Sequence, residues 1–250
     1  MSNQPKKVVL FLVEGVSDEL ALGPMLSKII QSDQVKFKVI HGDITSDYYR
    51  MTPATITNKI KDVVRSFLGS IYRIDDIAEI VHIVDSDGVY ISDSQILSDT
   101  CEKTTYRDAT FHTQYSHEIK KRNTFKQTVL NMLSQRTSIR LGRGSSEDIP
   151  YRLLYMSCNL DHVIVGDRNL DISQKKAKAI LFSDSFYDNP NGFYEFFINT
   201  DILKGQTYTE SWDHLRKDNN SLNRCSNLGI YLDSIDKNTD INKCTFAKLE

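Results

Sequence analysis

Three short apolar runs in the first part of the chain alternate with two amphipathic segments. The runs Lys7–Val13, Val35–Ile40 and Glu79–Val84 carry many β-branched and aromatic residues, which is typical of strands in a parallel sheet. Between them, Glu19–Ile30 and Pro53–Ser70 repeat apolar residues at helical spacing. The order strand, helix, strand, helix, strand predicts an α/β fold with a doubly wound parallel sheet and a site at the carboxyl ends of its strands.

The rest of the chain has a weaker pattern. Residues 90–115 and 134–150 are polar and aperiodic, and we predict loops there. A basic helix is predicted over His117–Leu133 and a strand over Tyr151–Met156, and the short patterns that follow predict a mostly helical C-terminal region. This divides the chain into a catalytic core, an insertion and a C-terminal region, at residues 1–95, 96–150 and 151–250.

Composition excludes several classes of protein. The 250 residues are 40% hydrophobic with a formal net charge of −2, which argues against a dedicated nucleic-acid coat protein. No apolar run approaches the roughly 18 residues of a membrane span, and no signal-peptide core follows Met1, so we expect a cytoplasmic protein. The 4 cysteines form no pair at zinc-ligand spacing, and we expect reduced thiols.

Acidic residues follow the first and third predicted strands. Glu14 comes directly after Val13, and Asp85-Ser86-Asp87 comes directly after Val84. Because Mg²⁺ prefers carboxylate oxygens and the ends of parallel strands share one edge, these residues predict a metal site. A solvated acidic turn is the alternative for the Asp-x-Asp pair, and N-terminal capping of the first helix is the alternative for Asp18.

The sequence around these acids resembles the Toprim (topoisomerase-primase) domain. The resemblance rests on Val13-Glu14-Gly15-Val16-Ser17-Asp18 and on Ile83-Val84-Asp85-Ser86-Asp87-Gly88, and it spans roughly 90 residues. It implies that Glu14, Asp85 and Asp87 bind Mg²⁺ or Mn²⁺ and that Asp18 is a further catalytic acid. The Glu-Gly-x-Ser-Asp form is most similar to nucleases of the overcoming-lysogenization-defect type and to Toprim effectors of phage defence.

The resemblance also implies a function and a partner. It predicts a metal-dependent nuclease, the toxic effector of an anti-phage abortive-infection system, controlled in trans by an ABC- or AAA-type ATPase. A homo-oligomer is left open, and no counterpart of the topoisomerase tyrosine domain or the primase zinc module is present in the sequence. Two alternatives stay open: an inactive Toprim-fold binding or regulatory subunit, and a Mg²⁺-dependent phosphohydrolase of small molecules. Any later acidic ligand is undecided, with Glu147 and Asp148 as candidates.

Basic residues in the insertion are candidates for nucleic-acid contacts. Lysine and arginine side chains supply the salt-sensitive part of nucleic-acid affinity. A solvated helix face and a surface loop are the alternative interpretation. The residues concerned are Lys120, Lys121, Arg122, Arg140 and Arg143, with His117, Lys126 and Arg136 nearby.

Three further features have simple structural explanations. Asn159, Asp161 and His162 follow a predicted strand and could take part in proton transfer, but helix capping by Ser157 or Asn159 with a satisfied surface histidine is favoured. Lys175 is interpreted as part of an exposed helix edge. The aromatic residues between Phe186 and Phe197, and Trp212, are interpreted as core residues and not as a base-stacking surface.

Overall fold

The fold was analysed in a computed structural model that describes residues 8–30, 35–69, 71–100, 103–142 and 148–236. In the first half of the chain the elements are β1 (Val8–Val13), α1 (Val16–Ile29), β2 (Val35–Val39), α2 (Ile56–Leu68), β3 (Ile77–Asp85), β4 (Ile96–Ser98), β5 (Thr105–Tyr106) and β6 (Phe111–Thr113). In the second half they are α3 (Ser116–Ser134), β7 (Ser138–Ile139), β8 (Ile149–Met156), α4 (Leu160–Val165), α5 (Ile172–Asp184), α6 (Pro190–Ile198), α7 (Tyr208–Arg216) and α8 (Leu228–Asp236).

A 5-stranded sheet in the order β2-β1-β3-β8-β7 forms the centre of the molecule. β2, β1, β3 and β8 are parallel to one another, and only the short edge strand β7 is antiparallel. The prediction of an α/β fold is therefore confirmed, with a mixed sheet that is mainly parallel. β8, from the predicted C-terminal region, pairs directly with β3, so the sheet extends beyond the predicted core.

Alternate residues of β1 face two different apolar cores, as the period of a strand requires. Leu10 and Leu12 pack on the side of α2, α3 and α7, together with Trp212. Phe11 and Val13 pack on the opposite side, with α1, α4, α5, α6 and α8. Helices thus cover both faces of the sheet, which explains why every residue of β1 is apolar and buried.

The region 90–115 differs from the prediction. It contains a small 3-stranded sheet in the order β4-β6-β5, where we predicted only loop. Strands β4, β5 and β6 are 3, 2 and 3 residues long, too short for any periodicity to be read from the sequence. Phe111 on β6 is buried against Leu222 and Cys158, so this small sheet packs against the side of the molecule where β8 ends.

The C-terminal region is mostly helical, as predicted. Edge-to-face contacts join the rings of Phe182, Phe186 and Phe193, and Phe193 and Phe197 are fully buried, so the interpretation of this aromatic segment as core is confirmed for them. It is wrong for Tyr187, which is 60% exposed. Trp212 is buried, at 1% exposure. Cys158 and Cys225, the cysteines in the described part of the chain, are both free thiols. Within the described residues, no helix combines the length and the apolar character that a bilayer crossing requires.

Candidate functional site

The strand order creates a crevice at the carboxyl ends of β1 and β3. From β1 the chain leaves through α1 on one face of the sheet to reach β2, whereas from β3 it continues through α3 on the other face to reach β8. In open α/β sheets the point where connections diverge in this way is the usual ligand site. Glu14 directly follows β1 and Asp85 ends β3, so both lie at this point.

Glu14 and Asp85 are in direct contact. Glu14 Oε1 accepts a hydrogen bond of 3.2 Å from the backbone N–H of Asp85, and Asp85 Oδ1 accepts one of 2.9 Å from the N–H of Leu160 at the start of α4. Each carboxylate is thereby fixed through one oxygen. Among the described residues, no hydrogen-bond donor lies against the other oxygen, Oε2 of Glu14 or Oδ2 of Asp85.

Burial and neighbouring negative charge make these two carboxylates reluctant to ionise. Burial raises the pKa of Glu14 well above its ordinary value, and the charge of Asp43 raises it further. The pKa of Asp85 is also raised well above its ordinary value, by burial first and then by the charges of Asp18 and Asp87. A bound cation would relieve the repulsion between these carboxylates, so their negative charges favour metal binding.

Asp87 lies beside them but has other partners. Its backbone has a positive φ of 50°, and its N–H donates to the carbonyl of Cys158 at 2.8 Å. One carboxylate oxygen, Oδ2, lies 2.7 Å from Nζ of Lys126, and the other accepts a 3.3 Å hydrogen bond from the hydroxyl of Tyr106. Arg122 donates to the carbonyl of Asp87 at 3.1 Å. Asp87 is therefore already neutralised by the chain itself.

Asp43, which we did not single out from the sequence, lies near Glu14, Asp85 and Asp87, and we call these four carboxylates the acidic edge. Asp43 lies in the loop after β2, and its Oδ2 is 2.6 Å from Nζ of Lys126. Its Oδ1 accepts from the N–H and the hydroxyl of Thr45, at 2.7 and 2.5 Å. Burial alone would raise the pKa of Asp43, but the charge of Lys126 and the hydrogen bonds from Lys126, Ser46 and Thr45 together outweigh it and lower the pKa to about 2. Its position shortly after the end of β2 is the feature of the sequence from which its place in the site could have been predicted.

Asp18 takes part in the start of α1, as the third residue of the helix and not as its N-cap, which is Gly15. Its catalytic role stays a prediction. The Asp18 side chain accepts a 2.7 Å hydrogen bond from the N–H of Gly15, the residue that precedes α1, so it satisfies a free donor at the helix start. Burial raises the pKa of Asp18 to about 6, and the nearby charge of Asp161 contributes. Because Asp18 also raises the pKa of Asp85, it lies at the edge of the site and not at a remote surface.

A 3-carboxylate metal site of the predicted kind is not evident. In the described ranges of the chain, no group of 3 or more His, Cys, Asp or Glu side chains is arranged to hold a metal ion. The donor chemistry nonetheless fits Mg²⁺ in part, since the ion commonly uses only one or two carboxylates and keeps waters. Oε2 of Glu14 and Oδ2 of Asp85 are two such donors, whereas Asp87 is held by Lys126 and Tyr106. Metal binding by all of Glu14, Asp85 and Asp87 stays a prediction.

The candidate nucleic-acid contacts lie in different surroundings. Lys120 is half-buried and Lys121 is exposed, both near the start of α3, while Arg122 lies over the ring of Phe111 beside Asp87. Arg140 is exposed but makes an ion pair of 2.7 Å with Asp148, one of the two candidates for a later ligand. Arg143 and Glu147 lie outside the described residues.

Lys126 is not a surface contact. From the sequence we grouped it with the basic candidates for nucleic-acid contacts, but its side chain has 0% exposure. It occupies the same face of α3 as Val129, Leu130 and Leu133, at helical spacing from them, and all of these are buried. That spacing was the signal in the sequence that Lys126 points inward, which the basic composition of the helix obscured.

The segment after β8 is a helix start, as favoured above. Asn159 caps α4 by accepting from the N–H of His162 at 2.8 Å, which confirms the capping interpretation. The expectation of a satisfied surface histidine is wrong, because His162 is buried and burial lowers its pKa to about 4. Asp161 is also buried, and Lys175 forms an ion pair with it at 2.6 Å. Lys175 therefore lies at the acidic edge and not on a purely exposed helix face.

Comparison with family models, with curated proteins and with solved structures finds no match to this chain. The Toprim resemblance therefore rests on the sequence around Glu14 and around Asp85.

Proposed function

We propose that this protein is a metal-dependent nuclease that hydrolyses phosphodiester bonds in DNA or RNA. The observation that carries the proposal is the meeting of Glu14 and Asp85 at the switch point of the sheet, each with one oxygen fixed by a backbone N–H and the other oxygen without a donor among the described residues. Carboxylates held in this manner are partly preorganised to bind a divalent cation, because one oxygen of each is already fixed.

The residues have distinct tasks in this proposal. Glu14 and Asp85 would hold Mg²⁺ or Mn²⁺ through Oε2 and Oδ2. A metal ion bound there would supply an activated water and neutralise charge on the phosphate oxygens. Asp18, whose pKa is raised to about 6 by burial, would accept or release a proton near neutral pH. Asp87 would complete the acidic edge at the position where Lys126 and Tyr106 hold it.

Positive charge and aromatic rings near this edge support a polymeric substrate. Lys120 and Lys121 precede Arg122 on the helix that reaches Asp87, and can contribute to phosphate binding. The loop that carries Asp43 also carries Tyr48 and Tyr49, whose ring centroids are 4.1 Å apart. Tyr49 is 77% exposed, so its ring is available to stack on an unpaired base.

A cleavage assay tests the proposal. Purified full-length protein is incubated with single-stranded DNA, duplex DNA, RNA, tRNA and nucleotides, with Mg²⁺, Mn²⁺ or EDTA. We expect metal-dependent cleavage of a polymer that Glu14→Gln and Asp85→Asn each reduce by about 100- to 1,000-fold, in line with the loss of a transition-state charge contact. Glu19→Gln and the exposed Asp93→Asn are matched controls that should retain activity. Release of phosphate from nucleotides alone would instead identify a small-molecule phosphohydrolase.

A second candidate is a Toprim-fold binding or regulatory subunit without catalytic activity. The observation that favours it is the ion pairing of Asp87 and Asp43 with Lys126, together with the lack of a 3-residue metal cluster in the described segments. This candidate predicts no Mg²⁺ or Mn²⁺ binding and no change in partner binding with Asp85→Ala or Asp87→Ala. The same assay, combined with a metal titration, separates it from the nuclease.

The proposal extends to a setting in phage defence through the Toprim resemblance. In that setting the chain is a toxic effector in the cytoplasm, and an ABC- or AAA-type ATPase holds or releases it. Expression of the chain alone in bacteria tests this extension. We expect growth arrest with the wild-type chain, survival with Glu14→Gln, and suppression of the arrest when the product of a neighbouring ATPase gene is expressed at the same time.

A further inference from the structure

Lys126 has an unusual environment for a lysine. Among the lysines of the described residues, Lys126 is the one that is buried, with a side-chain exposure of 0%. Its ammonium lies between two carboxylates from different parts of the chain, 2.6 Å from Oδ2 of Asp43 and 2.7 Å from Oδ2 of Asp87. The exposures of these two carboxylates are 15% and 20%. A positive charge on α3 therefore joins the acids that follow β2 and β3.

This ion pair divides the acidic edge into two unlike halves. In the half formed by Asp43 and Asp87, all four carboxylate oxygens have donors, from Lys126, Thr45 and Tyr106. In the half formed by Glu14 and Asp85, one oxygen of each carboxylate has no donor among the described residues. Only the second half offers oxygens to an incoming cation.

We propose that Lys126 is a built-in cation that takes the place of a second metal ion, so that the site binds a single divalent ion through Glu14 and Asp85. Lys126 is then a positioning residue for Asp87 and sets the number of metal ions. The statement that a single ion binds through Glu14 and Asp85 rests on the proposed function. The exclusion of a metal from Asp43 and Asp87 does not, because it follows from the ion pair alone.

The chemistry of the two cations explains the exclusion. Mg²⁺ requires oxygen ligands at about 2.0–2.1 Å in near-octahedral geometry. An ammonium within hydrogen-bond distance of Oδ2 of both Asp43 and Asp87 occupies the space between these oxygens, and it repels a second positive ion there. Arg122, which donates to the carbonyl of Asp87, adds further positive charge on the same side. A metal could enter only if the lysine left, and the lysine would then lose both of its partners.

The ammonium is stable in this place. Burial disfavours the charged form of Lys126, but the carboxylates of Asp43, Asp87 and Glu14 outweigh burial and raise the pKa of Lys126 above its ordinary value. The two carboxylate oxygens at 2.6 and 2.7 Å thus favour the charged form of the lysine in this place.

A Mn²⁺ titration followed by electron paramagnetic resonance tests the inference. The full-length wild-type chain is expected to bind one Mn²⁺ ion, and Glu14→Gln should abolish that binding. Lys126→Met removes the charge while keeping a long side chain, and it should add a second bound ion or tighten Mn²⁺ binding by at least tenfold. Lys59→Met, on the exposed side of α2, is the matched control and should behave as the wild type.

The outcomes separate this inference from the proposed function. Two ions bound to the wild type, or unchanged stoichiometry and affinity in Lys126→Met, overturn the inference. If the wild type binds no ion but Lys126→Met gains one, the role of Lys126 is supported while the nuclease proposal fails. If neither chain binds an ion, both proposals are overturned.

A measurement on the wild type avoids the risk that Lys126→Met fails to fold. The ¹⁵N resonance of a buried ammonium is protected from exchange with solvent and can be observed by NMR. We expect one such protected lysine signal, and we expect it to persist at its original position when Mg²⁺ is added to saturation. Loss of this signal on adding Mg²⁺ would show that the metal displaces Lys126, and would overturn the inference.

Discussion

The ion pair between Asp43 and Lys126 gives a quantitative prediction for stability. Burial alone would raise the pKa of Asp43, but the charge of Lys126 together with hydrogen bonds from Lys126, Ser46 and Thr45 lowers it from its ordinary value of 3.8 to about 2. At about 1.4 kcal/mol for each pKa unit, this difference corresponds to roughly 2–3 kcal/mol of stability at pH 7. Asp43→Asn keeps an oxygen for the hydrogen bonds from Thr45 and removes both the charge and the oxygen that accepts from Lys126.

We therefore expect Asp43→Asn to lower the free energy of unfolding by about 2–3 kcal/mol at pH 7. This is below the roughly 3–5 kcal/mol typical of breaking a buried pair, because Lys126 keeps Asp87 as a partner. For a chain of this size the change corresponds to a fall in Tm of about 5–10 °C. The fluorescence of Trp212, the single tryptophan of the chain, reports unfolding because its side chain is buried.

The pH dependence has a defined sign. The pKa of Asp43 is lower in the folded state than in the unfolded state, so the stabilisation is complete above about pH 5 and is lost as the pH falls through about 2. The difference between wild type and Asp43→Asn should shrink to roughly half at pH 3. The exposed pair of Asp62 with Arg65 supplies the control, and Asp62→Asn should change stability by less than about 0.5 kcal/mol. An Asp43→Asn effect as small as that of the control would refute the reasoning.

Three further predictions follow from the site. Burial raises the pKa of Asp18 from 3.8 to about 6, so Asp18→Asn should raise the free energy of unfolding by about 2–3 kcal/mol at pH 8 and by almost nothing at pH 3.5. The same substitution should reduce cleavage, and equal effects on stability at both pH values would contradict the prediction. Gly88 has φ +65°, and an added Cβ would lie 2.5 Å from Cδ2 of buried Leu222. Measured by urea unfolding, Gly88→Ala should therefore lower the free energy of unfolding by at least about 2 kcal/mol more than Gly166→Ala, where φ is +84° and nothing lies within 4 Å of the added Cβ. If Lys120 and Lys121 contact phosphates, Lys120→Met and Lys121→Met should each lower the salt slope of nucleic-acid binding by about 0.7–0.9, and an unchanged slope would remove them from the interface.

Much of the fold could be predicted because its strands have strong local patterns. Val8–Val13 is buried on both faces, and burial on both faces requires a continuous apolar run. The small sheet formed by β4, β5 and β6 could not be predicted in this way. Its strands are so short that pairing across distant segments determines them, and a single sequence carries no signal of that pairing.

The candidate site could be predicted only in part, for a related reason. Glu14 and Asp85 were identified because strand ends that share an edge bring acids together, and the structure places them in direct contact. The pairing of Asp87 and Asp43 with Lys126 joins the loop after β2, the end of β3 and the middle of α3. No local spacing relates these three positions. The sequence indicated only that Lys126 shares a helix face with apolar residues.

Anomalous diffraction from a crystal soaked in Mn²⁺ tests the central claim most directly, because it shows where a metal binds without relying on activity. We predict one strong peak about 2.1–2.2 Å from Oε2 of Glu14 and Oδ2 of Asp85, with Lys126 still between Asp43 and Asp87. Mn²⁺ bound only elsewhere on the surface, with Glu14 and Asp85 unliganded at saturating metal, would contradict it.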